Sequence, residues 1–316
     1  ANTLSCDSSI PVSDKSLFQA ASISKSLAAT AALTLVDQHK LKINSPANDY
    51  LLTWKIPRNQ YNKRHPVLVK QLINMTSGLS VAGFPGYSKD QPLPTPIELL
   101  KGTPPTNTPA IRVFYRPETK YFYSGGGYQV LQQVITDITH TQMTTFMNQR
   151  ILPQLGMTNS IFQYPLINKN YLSKAIPGFL SGTPTHPVKG EWHNYASTAA
   201  AGLWSTPIDL AKFAINITKS YQGKRGILSQ STAKKMMAHQ KHTPFGLGVK
   251  VYNQGDKLHF SKGGHNLGYY SFLVMFPNKG QGLVIMTNSE NGLSVINQFI
   301  PVVAKQYNWP NLPITD

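Results

Sequence analysis

Ser22-Ile23-Ser24-Lys25, at the mouth of the alanine-rich run Ala28 to Val36, constrains this chain more than any other feature. Residues three apart on a helix are neighbours, so the Lys25 amine can reach the Ser22 hydroxyl without help from distant parts of the fold. That spacing describes a serine nucleophile carrying its own base. The residues that follow, with Leu27, Leu33 and Leu35, are almost wholly apolar and predict a buried helix over residues 22 to 39, ended by Gln38-His39-Lys40, whose N-terminal dipole points at the serine oxygen. The same spacing recurs at Ser231-Thr232-Ala233-Lys234, but there it opens a polar, lysine-rich surface helix. Spacing alone therefore does not define a site. Its setting makes Ser22 the expected nucleophile.

A chain of 316 residues with 41% apolar content can bury a large core, and no apolar run approaches the roughly eighteen residues of a membrane span. The expectation is a globular protein without a spanning segment. Ala1 is followed by neither a charged region nor an apolar leader. One cysteine, Cys6, excludes an internal disulfide and any cysteine-based zinc site; Thr3-Leu4-Ser5-Cys6 is at best a distorted lipoprotein cleavage box, and a disordered N-terminal thiol is expected instead. Thirty Lys+Arg against thirteen Asp+Glu give a formal charge of +17, which favours nucleic acid, anionic lipid or an anionic small molecule. The basic residues are scattered, with no arginine-rich helix, aromatic stripe or finger spacing. The reading is a basic solvated surface, no nucleic-acid partner, and attraction to an anionic envelope or substrate.

Helical patterning recurs at Val67 to Asn74, Tyr128 to Ile138 and Phe146 to Leu152, and Gly78 in Thr76-Ser77-Gly78 suits a helix stop. Between Gly83 and Pro117 the chain is rich in proline and glycine yet keeps its aromatics, which predicts an ordered excursion rather than a linker. Thr206-Pro207-Ile208-Asp209 predicts a helix start, with Asp209 reaching back as in a capping box. The last third turns strand-like at Phe245 to Tyr252, Leu258 to Ser261, Tyr269 to Phe276 and Gly282 to Thr287. A helix from about Val295 to Tyr307 then closes the chain. The expected class is α+β: an antiparallel meander flanked by helices, with a mainly helical lobe over residues 55 to 204 inserted into an α/β lobe of residues 1 to 54 and 205 to 316.

Two further motifs bear on Ser22. Tyr123-Ser124-Gly125 follows the turn-prone Arg116-Pro117-Glu118 and precedes a helix, so the phenol can face a cleft. Lys262-Gly263-Gly264 is expected to end a strand, where the glycines let a substrate lie along the sheet edge and expose amide groups to a developing oxyanion.

In this order and spacing the three motifs resemble the penicillin-recognising serine hydrolases, especially the class C β-lactamase-like branch, over nearly the whole chain. Leu17 to Lys25 looks like the nucleophile segment of that family, Leu72 to Leu79 like its helix-ending loop, and Gln154-Leu155-Gly156-Met157 and Ala201 to Leu210 like two more landmarks. Phe260 to Tyr269 looks like its third motif. The resemblance implies a β-lactamase/transpeptidase-like fold and a reaction needing neither metal nor cofactor. Ser22 would be acylated by a β-lactam, D-alanyl peptide or ester. Lys25 would accept or relay its proton, Tyr123 would complete the base and protonate the leaving group, and Lys262 would hold a substrate carboxylate and favour the tyrosinate. The backbone amides of Ser22 and His265 would form the oxyanion hole, with Gly263 and Gly264 beside the substrate. It also implies a bacterial periplasmic or other extracytoplasmic location. A tyrosine begins near pKa 10, and bringing it near 7 takes about 4 kcal/mol, roughly what one ammonium at about 4 Å supplies at an effective dielectric near 20.

Two departures stand out. The family places asparagine two residues after the motif tyrosine; here that position is Gly125, which disfavours efficient β-lactamase action and predicts a wider site suited to an ester. Only twenty-one residues precede Ser22, so the family's opening strand pair is expected to be missing or short, leaving the edge at Leu283-Val284-Ile285-Met286 unpaired. His193 is a weaker candidate for the cleft, before Ala199-Ala200-Ala201. Other hydrolase classes fit worse. No Gly-x-Ser-x-Gly elbow or His-Glu-x-x-His occurs, and Gly78-Leu79-Ser80-Val81-Ala82 lacks the closing glycine. A catalytically weak protein of the same fold that binds an envelope ligand is the non-enzymatic alternative.

Overall fold

The computed structural model describes residues 12–181, 186–252 and 257–309. Strand β1 (Phe18–Gln19) leads through a tight turn into helix α1 (Ile23–Asp37), which is buried on every side from Ile23 to Leu35. A helix apolar all round has no solvent face to offer, and its alanines let neighbouring elements approach closely. The short helices α2 (Val69–Ile73) and α3 (Pro96–Lys101) precede α4 (Gly125–Thr139), capped by the Ser124 hydroxyl, which accepts from the Gly127 amide. Then α5 (Met143–Phe146) runs through a π-helical turn, Met147–Ile151, into α6 (Leu152–Leu155). Strand β2 (Ile161–Phe162), α7 (Lys169–Leu172), α8 (Thr198–Ala201) and β3 (Leu203–Ser205) follow, and β1, β3 and β2 form a small antiparallel sheet in that order.

Helices α9 (Pro207–Tyr221) and α10 (Gln230–Met236) lead to the main sheet of β4 (Lys250–Tyr252), β5 (His259–Asn266), β6 (Tyr269–Phe276) and β7 (Gln281–Thr287), antiparallel throughout and in chain order. Helix α11 (Gly292–Gln306) closes the described chain. Side chains alternate across a strand, so β6 serves two cores. Leu273 and Met275 face the larger one with α1, while Phe272, Val274 and Phe276 pack with Ile296, Ile300 and Trp309 under α11. Each such buried side chain contributes about 1.5–3 kcal/mol of transfer free energy.

The register of this sheet positions the site. β4 pairs only with His259, Phe260 and Ser261, so from Lys262 to Asn266 no strand among the described residues lies on the outer side of β5. Lys262-Gly263-Gly264 therefore sits inside a strand rather than at its end. The hairpin turn falls at Leu267-Gly268, with Gly268 at φ +82, because a two-residue reversal needs a residue free to adopt positive φ. Phe245 to Tyr252 shrinks to a three-residue strand for a related reason: residues 245 to 249 bond to Met236 and to one another rather than to a neighbouring strand.

Asp209 also departs from expectation. Thr206 caps α9 by accepting from the Asp209 amide. The Asp209 carboxylate turns instead to the Asn159 amide, the Ser160 hydroxyl and the Lys212 ammonium. Ser231 lies in the exposed first turn of α10 beside Ser229, as its polar surroundings predict. Cys6 and most of the suspect N-terminal segment lie outside the described residues, within which β7 is an edge strand. No helix among the described residues is long and apolar enough to cross a membrane.

Candidate active site

Ala21 has φ +47, a left-handed conformation that a non-glycine residue adopts at a cost of order 1–3 kcal/mol when its surroundings hold it there. Two contacts do so. The Ser24 hydroxyl donates to the Ala21 carbonyl at 2.5 Å and accepts from the Leu203 amide at 3.0 Å, tying the turn to β3. The turn brings Ser22 to the N-cap of α1, half-buried and open to a cleft.

Lys25 follows one turn later, almost wholly buried, its Nζ donating to Ser22 Oγ at 3.0 Å and to the Ala200 carbonyl at 2.9 Å. From the loop before α4, the Tyr123 hydroxyl lies 2.8 Å from the same serine oxygen. The neighbouring Tyr128 has a different environment. Its phenol is fully buried against the Ile73 carbonyl at 2.8 Å, and burial pushes its pKa well above the usual tyrosine value. Of these two tyrosines, only Tyr123 meets the serine.

Lys262 is buried without exposed surface, its Nζ donating to the Gly263 carbonyl at 2.8 Å. It stands 5.3 Å from the centre of the Tyr123 ring, and Lys25 Nζ stands 5.1 Å from it. Three separate stretches thus converge on one phenol and one hydroxyl. Lys262 is not among the residues that line the cleft.

Gly264 faces the nucleophile across a very narrow gap: a Cβ there would meet the Ala20 carbonyl at 2.5 Å, Ser271 Oγ at 2.5 Å and the Ser22 amide nitrogen at 3.0 Å. Only glycine lets β5 lie this close to the serine's backbone. His265 follows on the opposite face of the strand. Its ring stacks on Tyr270 with centroids 4.2 Å apart, and Nε2 lies 3.0 Å from Glu290, whose carboxylate also accepts from the Gly268 amide at 2.6 Å.

The cleft has a volume of about 680 Å³. Ser22, Lys25, Tyr123, Gly263, Gly264 and His265 line it together with Phe84, Tyr121, Phe272, Leu293 and Ile296, and no carboxylate is among its lining residues. Gly125 does not open the site, contrary to expectation. A Cβ there would meet the Ala82 carbonyl at 2.9 Å and the Phe84 ring at 3.0 Å, so Phe84 fills the space and turns that wall apolar. His193 lies outside the lining: its Nδ1 is 3.0 Å from the Pro85 carbonyl, and its own carbonyl accepts from Gln19. Phe84 and Glu290 were not legible as site residues, since both reach it through tertiary contacts. Among the described residues no group of histidine, cysteine or carboxylate side chains could hold a metal ion.

The family model described as Beta-lactamase matches residues 4–298. The chain belongs to the beta-lactamase family. As a member of the penicillin-recognising serine hydrolases, this beta-lactamase-family chain is 22% identical over 313 residues to Protein flp of Staphylococcus aureus (strain MW2), covering 96% of this chain and 57% of that protein. It is 24% identical over 277 residues to the putative penicillin-binding protein PbpX of Bacillus subtilis (strain 168), covering 87% and 62% of the two. It spans little more than half the length of these curated relatives. D-amino acid amidase from Ochrobactrum anthropi SV3, solved with L-phenylalanine amide, has the same fold, with a TM-score of 0.74, 20% identity, and coverage of 95% and 86%.

Proposed function

We propose that the protein is a serine acyl hydrolase working through a Ser22 acyl-enzyme. The observation that carries this reading is that one exposed-to-cleft hydroxyl, Ser22 Oγ, lies within hydrogen-bonding distance of both Lys25 Nζ and the Tyr123 phenol. With Tyr123 as the phenolate, favoured by the two ammonium groups about its ring, the serine proton passes to the phenol as the oxygen bonds to the substrate carbonyl. The amides of Ser22 and His265 receive the oxyanion along the open edge of β5. Tyr123 then returns the proton to the departing oxygen or nitrogen, and water cleaves the acyl-serine by the same route reversed. Lys25 and Lys262 keep the phenol charged between steps.

The cleft supports an ester or amide with apolar flanks over a β-lactam. The position where the family offers an asparagine amide has no side chain, and Phe84 occupies the space. The amidase of the same fold supports an amide as substrate, and the putative penicillin-binding relative supports acyl transfer to the serine. Rates on short-chain nitrophenyl esters, a D-alanyl-D-alanine peptide and a cephalosporin, each with wild type and Ser22→Ala, test the proposal. Ester turnover that vanishes in Ser22→Ala is the expected result. Equal background rates on every substrate would leave a ligand-binding protein of this fold.

A further inference from the structure

Part of the positive charge is gathered in space although it is dispersed in sequence. Two adjoining hollows of about 440 and 360 Å³ share Arg64, His65 and Arg116, with Lys241 lining the first and Lys63 the second. Glu118 is the one carboxylate lining either, and Lys70 binds it at 3.1 Å. Arg64 and Arg116 have no carboxylate partner and no side-chain hydrogen bond among the described residues. Uncompensated cations on a concave wall create a potential that only an anion relieves.

The loops that carry the two arginines are held in place. The Asn59 amide nitrogen donates to Asn62 Oδ1 at 2.7 Å, Asn59 Nδ2 donates to the Val113 carbonyl at 2.6 Å, and Asn62 Nδ2 donates to the Pro57 carbonyl at 3.0 Å. At the other loop, Glu118 sits at φ +64 with its amide on the Thr76 carbonyl, and the Thr119 hydroxyl donates to the Arg116 carbonyl at 2.7 Å. Pinned loops lose little freedom on binding, and guanidinium forks match phosphate oxygens.

The first hollow and the catalytic cleft draw wall residues from one stretch of chain, residues 116 to 123. The strand of chain leaving Arg116 reaches Tyr121 and Tyr123, and the one leaving Lys241 reaches Phe245, whose ring stacks on Tyr121 at 5.9 Å. Tyr121 lines the catalytic cleft. We propose that this groove binds a flexible polyanion carrying phosphate groups and so anchors an anionic chain whose acylated part reaches Ser22. The anchoring half rests on the hydrolase reading; the binding half does not. Tyr61 is the single tyrosine lining the hollows, too little for the aromatic stacking by which single-stranded nucleic acid is held.

Calorimetric titration of the full chain with short-chain inorganic polyphosphate tests the site. Wild type and Ser22→Ala should bind alike, which separates this result from the fate of the hydrolase reading. Arg64→Ala with Arg116→Ala should weaken binding about tenfold or more, and the paired lysine replacements Arg64→Lys with Arg116→Lys should weaken it less, about threefold, since they keep charge and lose the fork. Lys234→Ala with Lys235→Ala removes the same charge from the exposed face of α10 and should leave affinity unchanged. Equal weakening by the two alanine pairs, or no binding at about 0.1 M salt, would overturn the site. Tighter binding of an oligothymidine of matched charge would also overturn it, in favour of nucleic acid.

Discussion

Replacing Gly125 by asparagine puts back the side chain that the family motif carries at this position, and the packing around it predicts a cost rather than a gain. Gly125 is the first residue of α4, where leaving glycine for asparagine gains a few tenths of a kcal/mol in helix propensity. Against this, the new Cβ meets the Ala82 carbonyl at 2.9 Å and the Phe84 ring at 3.0 and 3.3 Å. The carbonyl cannot retreat without stretching its bond to the Gly125 amide, now 2.9 Å. Overpacking of this kind costs about 1–3 kcal/mol, so the net loss should be about 1–2 kcal/mol. Phe84→Ala removes two of the three close atoms, and in that background Gly125→Asn should cost about 1 kcal/mol less. Urea unfolding of the four proteins of this cycle measures the coupling. Equal costs in both backgrounds, or stabilisation by Gly125→Asn alone, would refute the account of how Phe84 occupies the site.

Other consequences are open to simpler tests. Lys25→Ala and Tyr123→Phe should each lower kcat/KM on an active ester by about 10²–10⁴, and the double variant should lose little more than the worse single one, since the two groups serve one proton transfer. Lys262→Met keeps the volume of a fully buried side chain while deleting its charge, so unfolding free energy should change by less than about 2 kcal/mol while turnover falls and its pH optimum moves upward. His259 lies between Tyr252 and Phe276, and burial lowers its pKa below the ordinary 6.5. Below about that value the unfolded chain takes up a proton that the folded one refuses. Stability is therefore lost as pH falls through 6.5 and levels off once the folded pKa is passed. Urea unfolding at pH 7.5 and 5 should show a larger loss for wild type than for His259→Phe.

The residues that meet in the candidate site were legible because their spacing is local or tied to punctuation: Lys25 lies one turn from Ser22, Tyr123 precedes a glycine-marked helix start, and Lys262 precedes two glycines. The meander was legible for the same reason, with β6 read to its exact ends. What failed depended on distant partners. The length of β5 follows from β6 continuing to pair as far as Asn266, which the glycines disguise. Phe84 enters the site because residues 80 to 82 run beside Ser124, Gly125 and Gly126, a contact no periodicity encodes. The Asp209 carboxylate turns away from the N-cap because Ser160 and the Asn159 amide lie within reach. Scattered arginines such as Arg64 and Arg116, fifty-two positions apart, become neighbours only in the fold.

Mass spectrometry of the intact protein mixed with an activated ester, followed by peptide mapping, tests the proposed acyl-enzyme most directly. One acyl group per chain, mapped to the peptide bearing Ser22 and absent from Ser22→Ala, is the predicted outcome. Acylation of another residue at wild-type rate in Ser22→Ala, or none across esters that other reagents show to be reactive, would contradict it.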